Sequence, residues 1–175
     1  LRGVILRSVE SSRHICEEIA REGFPSVVVA DRFENPAVNF ICCDSRSDSQ
    51  RAVQHLIDMG HRRIGLAVHA VRDTDHEDRK AGYEDALKEN GIAIDPHMVV
   101  EIMAWVDGGA SVINRLMSLP QPPTAIYFTD PMVCFGALRR CMELGIKVPS
   151  ELSIVGFDDT DTRRHAYPAF TAVVQ

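Results

Sequence analysis

One arginine, three aspartates and the chain's single tryptophan carry the side chains best suited to hold a polar small molecule: Arg79, Asp44, Asp130, Asp158 and Trp105. A guanidinium and carboxylates grip vicinal hydroxyls through paired hydrogen bonds, while an indole covers the apolar side of a ring. The chemistry is binding. No G-x-S-x-G turn, H-E-x-x-H helix, G-x-x-x-x-G-K-S/T phosphate loop or G-x-G-x-x-G fingerprint occurs, so neither an enzyme nor a bound cofactor is expected. His69, His76, Glu77 and Asp78 are close in sequence and could ligate a metal. They are expected in one solvated surface loop without helical i, i+4 pairing, so no metal site is assigned. Asp158, Asp159 and Asp161 resemble a calcium loop, but the required Gly and downstream Glu are missing and Arg163-Arg164 would repel the ion.

Short Val- and Ile-rich runs alternate with longer amphipathic segments, the pattern of strand-helix-strand units around parallel sheets, hence an α/β fold of Rossmann-like layers. Strands are expected at Gly3 to Leu6, Ser26 to Ala30, Asn39 to Cys43, Arg63 to Val68, Met98 to Met103, Ala125 to Phe128, Ser153 to Phe157 and from Thr171. Helices are expected at Ser12 to Glu22, Ser47 to Met59, Arg79 to Glu89, Gly108 to Leu119 and Pro131 to Leu144, most of them stopped by Gly. In open parallel sheets ligands bind beyond the carboxyl ends of the strands. Asp44, the loop of Val71 to Arg79, Trp105, Asp130 and Asp158 all fall just past such ends. Each also has a plainer role: Asp130 before Pro131 as a helix cap, Asp44 and Ser45 before a helix as caps, with Ser45 and Asp48 resembling a capping box, Trp105 as core or interface packing, Arg79 as a solvated helix residue, Asp158-Asp159 as turn or cap residues.

At 175 residues, 45% hydrophobic and 25% charged, the chain can build a core without disulfides or a structural metal. A net charge of -6 argues against a surface dedicated to nucleic acid. The longest apolar runs fall far short of the roughly 20 residues that cross a bilayer, so no membrane partner is expected. Five cysteines, none in a C-x-x-C pair, read as free thiols of a reducing compartment, which points to the cytoplasm. Without an initiator Met or a signal segment at one end, and stopping in an apolar run at the other, the chain reads as a fragment.

Several strings then become recognisable together: His55-Leu56-Ile57 with Gly60-His61-Arg62-Arg63-Ile64; Arg79 with Gly82-Tyr83 and Ala86-Leu87; Pro123-Thr124-Ala125-Ile126; Gly136-Ala137-Leu138 with Gly145-Ile146-Lys147-Val148-Pro149; and Ser153 to Asp159 with Pro168 and Thr171. In order and spacing, over essentially the whole chain, they resemble the effector-binding domain of the lactose-repressor/galactose-repressor (LacI/GalR) family of bacterial transcription regulators. The resemblance implies a periplasmic-binding-protein-like (type I) fold of two lobes with a sugar-like effector between them. Residues 1–44 would be a partial N-terminal lobe, 45–172 the C-terminal lobe and 173–175 the start of the crossover back. A DNA-reading helix-turn-helix absent from this chain, operator DNA as its partner and a homodimer are implied as well. Pro131 to Leu144 and the loop of Arg163 to Tyr167 would be the interface elements.

By the same resemblance Arg79 and Asp158 would grip ligand hydroxyls, and Trp105 would lie against the sugar ring. Asp130 departs from the pattern, standing where the family usually has Asn, so an amide that donates and accepts becomes a carboxylate that only accepts. An effector with more donors there, or with positive charge, is the expectation. A periplasmic sugar-binding protein serving a transporter is the alternative reading. His61 precedes a strand, at the end away from the cleft, where structural hydrogen bonds are expected.

Overall fold

The computed structural model describes residues 2–7, 12–70, 74–103, 105–159, 163 and 166–174, with Thr74 as backbone only. The expectations that fall on Val71, Arg72, Asp73, Asp161, Arg164 and His165 lie outside them. The first sheet comprises β1 (Val4–Arg7), β2 (Ser26–Val29) and β3 (Phe40–Ile41), with helix α1 (Arg13–Arg21) between the first two. All its pairings are parallel, in the order β1-β2-β3. The helix covers one face, where Cys16, Val28, Phe33 and Val38 are buried together. On the alternate positions of the strands, Ile5, Val27, Val29 and Ile41 are exposed.

The remainder holds α2 (Ser45–Asp58), β4 (Ile64–His69), α3 (Thr74–Glu89), β5 (Val99–Ile102), α4 (Val106–Met117), β6 (Ala125–Phe128), α5 (Pro131–Leu144), β7 (Ser153–Phe157) and β8 (Thr171–Val173). These strands form one parallel sheet in the order β5-β4-β6-β7-β8. Ile64 to Val68 are all buried, as a strand covered on both faces requires. Alternation divides the core accordingly. Leu66, Val68, Tyr127 and Phe157 pack with α2 and α3, whereas Ala67, Ile126, Phe128 and Ile154 pack with α4 and α5.

The chain therefore leaves β4 by one face to reach β5 and returns by the other to reach β6. The reversal opens a crevice between β4 and β6 at their carboxyl ends, where ligands of such sheets bind.

Helices on each face approach closely enough to require glycine. A Cβ on Gly136 would collide with the carbonyl oxygen of Val106, one on Gly109 with that of Val133, and one on Gly82 with that of Arg46. Element types follow the sequence reading, with two corrections. Helix α3 starts at Thr74 rather than Arg79, so His76, Glu77 and Asp78 are helical and not in a loop. Its first turns carry no apolar periodicity to betray them, although Asp75 and Glu77 suit the positive end of a helix. Asp44, not a Ser45 box, caps α2 by accepting from the Ser47 amide. The strand expected from Thr171 is β8, which runs to Val173.

Candidate functional site

Arg79 projects from α3 into the crevice between β4 and β6. Its side chain is almost fully buried, at 6% residue exposure. One terminal nitrogen donates to the Thr129 carbonyl at 2.6 Å, just past β6. The guanidinium carbon lies 3.8 Å from the centre of the Phe157 ring, the last residue of β7. The other terminal nitrogen is 3.9 Å from a carboxylate oxygen of Asp158, beyond hydrogen-bond range. Nε is buried with no hydrogen-bond partner among the described residues. A buried, incompletely satisfied cation costs free energy unless something else completes it. Arg79 is thus not the solvated helix residue that its spacing also allowed.

Asp158 follows β7 with φ of +71°, a left-handed backbone that Asp tolerates better than most residues because its short side chain bonds locally. It is half-buried. Desolvation raises its pKa, opposed by the Arg79 and Arg7 guanidiniums and reinforced by the Asp130 carboxylate. Asp130 caps α5, its Oδ1 accepting from the amides of Met132 at 2.8 Å and Val133 at 3.3 Å. Pro131 occupies the first helical turn, where its missing N–H costs nothing. The cap fixes this carboxylate beside Asp158 without consuming its second oxygen's capacity to accept.

Trp105 stands at the start of α4, past the edge strand β5, with 69% of its surface exposed. It is not core. It shares the carboxyl rim with the other three, but β4 separates its strand from β6. Arg79, Asp130 and Asp158 are brought together; Trp105 stands on the same rim at the sheet's edge. Asp44 is exposed, its pKa lowered by hydrogen bonds from the Ser47 hydroxyl and amide. Asp159 is engaged by Arg163, which also donates to the Phe170 carbonyl.

The first sheet turns its carboxyl ends toward the same region. Arg7, the last residue of β1, is close enough to act on the Asp158 charge. Arg32, three residues past β2, lies 3.6 Å from Asp78 on α3. Arg13 pairs with the buried Asp31 at 2.5 Å and stacks over Phe33. Arg7, Thr129 and Phe157 were not singled out from sequence. Arg7 and Phe157 end β1 and β7, and Thr129 directly follows β6, positions that the strand-end rule marks without assigning them a role. His69 and His76 stack at 4.9 Å, and His76 Nδ1 lies 3.4 Å from the Thr129 hydroxyl. Among the described residues no group of three or more potential ligands could hold a metal ion.

At the opposite end of the sheet, His61 is held by Thr124 at 2.9 Å and Ser153 at 3.0 Å, the structural bonding expected of it. Desolvation lowers its pKa. All five cysteines are free, and no described helix is long and apolar enough to cross a membrane.

This arrangement, two parallel sheets whose carboxyl ends face one polar crevice, is that of a two-lobed binding domain. A family profile for the periplasmic binding protein-like domain matches residues 53–175, and the chain belongs to that family. Within it, the chain stands with the LacI/GalR regulators that its motifs resemble. It is 32% identical over 159 residues to the HTH-type transcriptional repressor CytR of Escherichia coli (strain K12), an overlap of 89% of this chain and 46% of that protein. Identity to the ribose operon repressor of Haemophilus influenzae is 33% over 124 residues, 71% of this chain and 37% of the relative. Among solved structures, a sugar-binding transcriptional regulator of the LacI family from Escherichia coli, complexed with phosphate, superposes with a TM-score of 0.89 at 25% identity, covering 98% of this chain and 62% of that one. The chain spans under half the length of these curated relatives.

Proposed function

We propose that this chain is the effector-sensing part of a bacterial DNA-binding transcriptional regulator. Residues 1–44 contribute to one lobe and 45–172 form the other, with a sugar or similar polar molecule held between them. The observation that carries this reading is the buried Arg79, whose Nε has no partner among the described residues and whose guanidinium is set by Phe157 and Thr129 at the mouth of the crevice. A ligand hydroxyl bridging Arg79 and Asp158 would complete both, and Asp130 would accept a further hydrogen bond. Trp105 offers an exposed aromatic face to the ligand's apolar side.

The effector would favour one arrangement of the lobes over another and bias operator binding in a homodimer carrying separate DNA-reading heads. The repressor names of its relatives support this cytoplasmic, non-enzymatic role over that of a transporter's binding protein. Exposed Met142 and Tyr167 support α5 and the segment after it as dimer contacts.

A thermal-shift screen of sugars, polyols and nucleobases, followed by calorimetric titration of the hits, tests the assignment. A ligand at a hundred times its Kd stabilises the fold by about 2.7 kcal/mol. Arg79→Met should weaken the hit by about tenfold or more, the worth of a hydrogen bond to a charged group. Asp130→Asn should shift preference away from cationic or donor-rich ligands. Equal affinities in wild type and both variants would remove these residues from the site.

A further inference from the structure

A second cavity, of about 380 Å³, opens at the amino end of the five-stranded sheet, away from the crevice. Its apolar floor comes from Leu87 near the end of α3, Ile92 and Met98 in the segment leading to β5, and Leu119 after α4. Arg62 and Arg63 line it just before β4, together with Asp95 and His97 at the short 3-10 helix Pro96–Met98 that precedes β5.

Both guanidiniums are tied to backbone. Arg62 donates to the Ile57 and His61 carbonyls, each at 2.9 Å, and Arg63 Nε donates to the Pro122 carbonyl at 3.0 Å. Among the described residues neither makes an ion pair with a carboxylate, unlike Arg46, Arg139, Arg140 and Arg163. Asp95 is occupied in part by the His97 amide at 2.9 Å.

We propose that this cavity binds a small aromatic monocarboxylate, ring on the apolar floor and carboxylate on Arg62 and Arg63. Two guanidiniums against one carboxylate leave a single net positive charge, which matches a monoanion. Their backbone ties hold the forks in position, so little side-chain freedom is lost on pairing with a planar anion. The volume lies within the range of about 300 to 1,000 Å³ usual for small-molecule sites. The apolar floor accounts for a ring rather than a bare ion, since an inorganic anion would leave it wet. This site is independent of the crevice and does not rest on the sensing role.

The full chain, labelled with 13C at its methionine methyls, is titrated with naphthalene-2-carboxylate. Met98 lies in the cavity, whereas Met103 and Met132 are exposed at the carboxyl rim. The Met98 resonance should shift saturably, with a midpoint of about 1 mM as befits a ligand of this size, while Met103 and Met132 stay still. Naphthalene-2-carboxamide should bind about tenfold more weakly or worse, having lost the charge-assisted pair. Combined Arg62→Gln and Arg63→Gln should do the same to the carboxylate. Ala93→Trp, at an exposed lining position, should abolish the Met98 shift without disturbing the rim resonances. Movement of the rim methionines alone, equal affinity for the amide, or undiminished binding by Ala93→Trp would each overturn the proposal.

Discussion

Arg79 and Asp158 show how two oppositely charged residues can be neighbours without satisfying one another. Their 3.9 Å separation leaves the carboxylate short of compensation for its desolvation, and the guanidinium's Nε has no hydrogen-bond partner among the described residues. The raised Asp158 pKa has a definite sign in stability. The folded state holds this proton more tightly than the unfolded chain, so stability falls as pH climbs from the ordinary value of 3.8 through the raised one. In chemical unfolding of the unliganded chain between pH 3 and 7, Asp158→Asn should lose that downward component. An unchanged pH slope would show that the carboxylate is better solvated than its surroundings imply.

His61 has the reverse sign, since burial lowers its pKa and protonation therefore opposes folding. Its stabilisation is present above the unfolded imidazole pKa of 6.5 and is lost as pH falls through the lowered value. The same unfolding series run on His61→Gln should lack a loss of stability just below that pH. Asp158 was legible because it directly follows a strand, whereas Arg79 lies inside α3 and was legible through the family motif that holds it. The roles of Phe157 and Thr129 were not, because an aromatic and a hydroxyl residue at a strand end look the same whether they pack, pair or point to solvent.

Among the elements, the parallel strands were the easiest to read, being short, β-branched and bounded by turn residues. β6 and β7 match their expected limits, whereas β3 is reduced from Asn39–Cys43 to Phe40–Ile41. Helix starts were harder. Thr74 to Asp78 carry charge but no apolar repeat, so only tertiary placement against the sheet marks them as helix. Trp105 illustrates the opposite problem: a lone tryptophan usually packs inside, yet this one precedes α4 in an extended conformation and faces out.

Glycine supplied a packing signal that periodicity does not register. Gly109 and Gly136 let the backbones of α4 and α5 meet. Gly136→Ala should therefore destabilise by about 1 to 3 kcal/mol through overpacking, more than helix propensity alone would return. Denaturant titration at constant m-value measures it, and a stabilised variant would mean that the helices can move apart freely.

For the whole molecule, the order β5-β4-β6-β7-β8 places the reversal of the chain between the paired strands β4 and β6, since it sends α3 and α4 to opposite faces of the sheet. Alternation along the chain announced parallel sheets but not their order, because any right-handed arrangement produces the same sequence rhythm. The two sheets meet through side chains such as Arg32 and Asp78, both partly in solvent. A pair of that kind adds at most about 1 kcal/mol.

Met132 stands in the first turn of α5, beside the cap formed by Asp130, and Met142 is exposed in its last turn. These 14 residues make a rod of about 21 Å, which glycine contacts clamp along one side. A tilt of about 5° at the capped end would sweep the far end by about 2 Å over that length. Were the helix to turn about its capped end in this way, the displacement would be small at the polar crevice and larger on the outer surface.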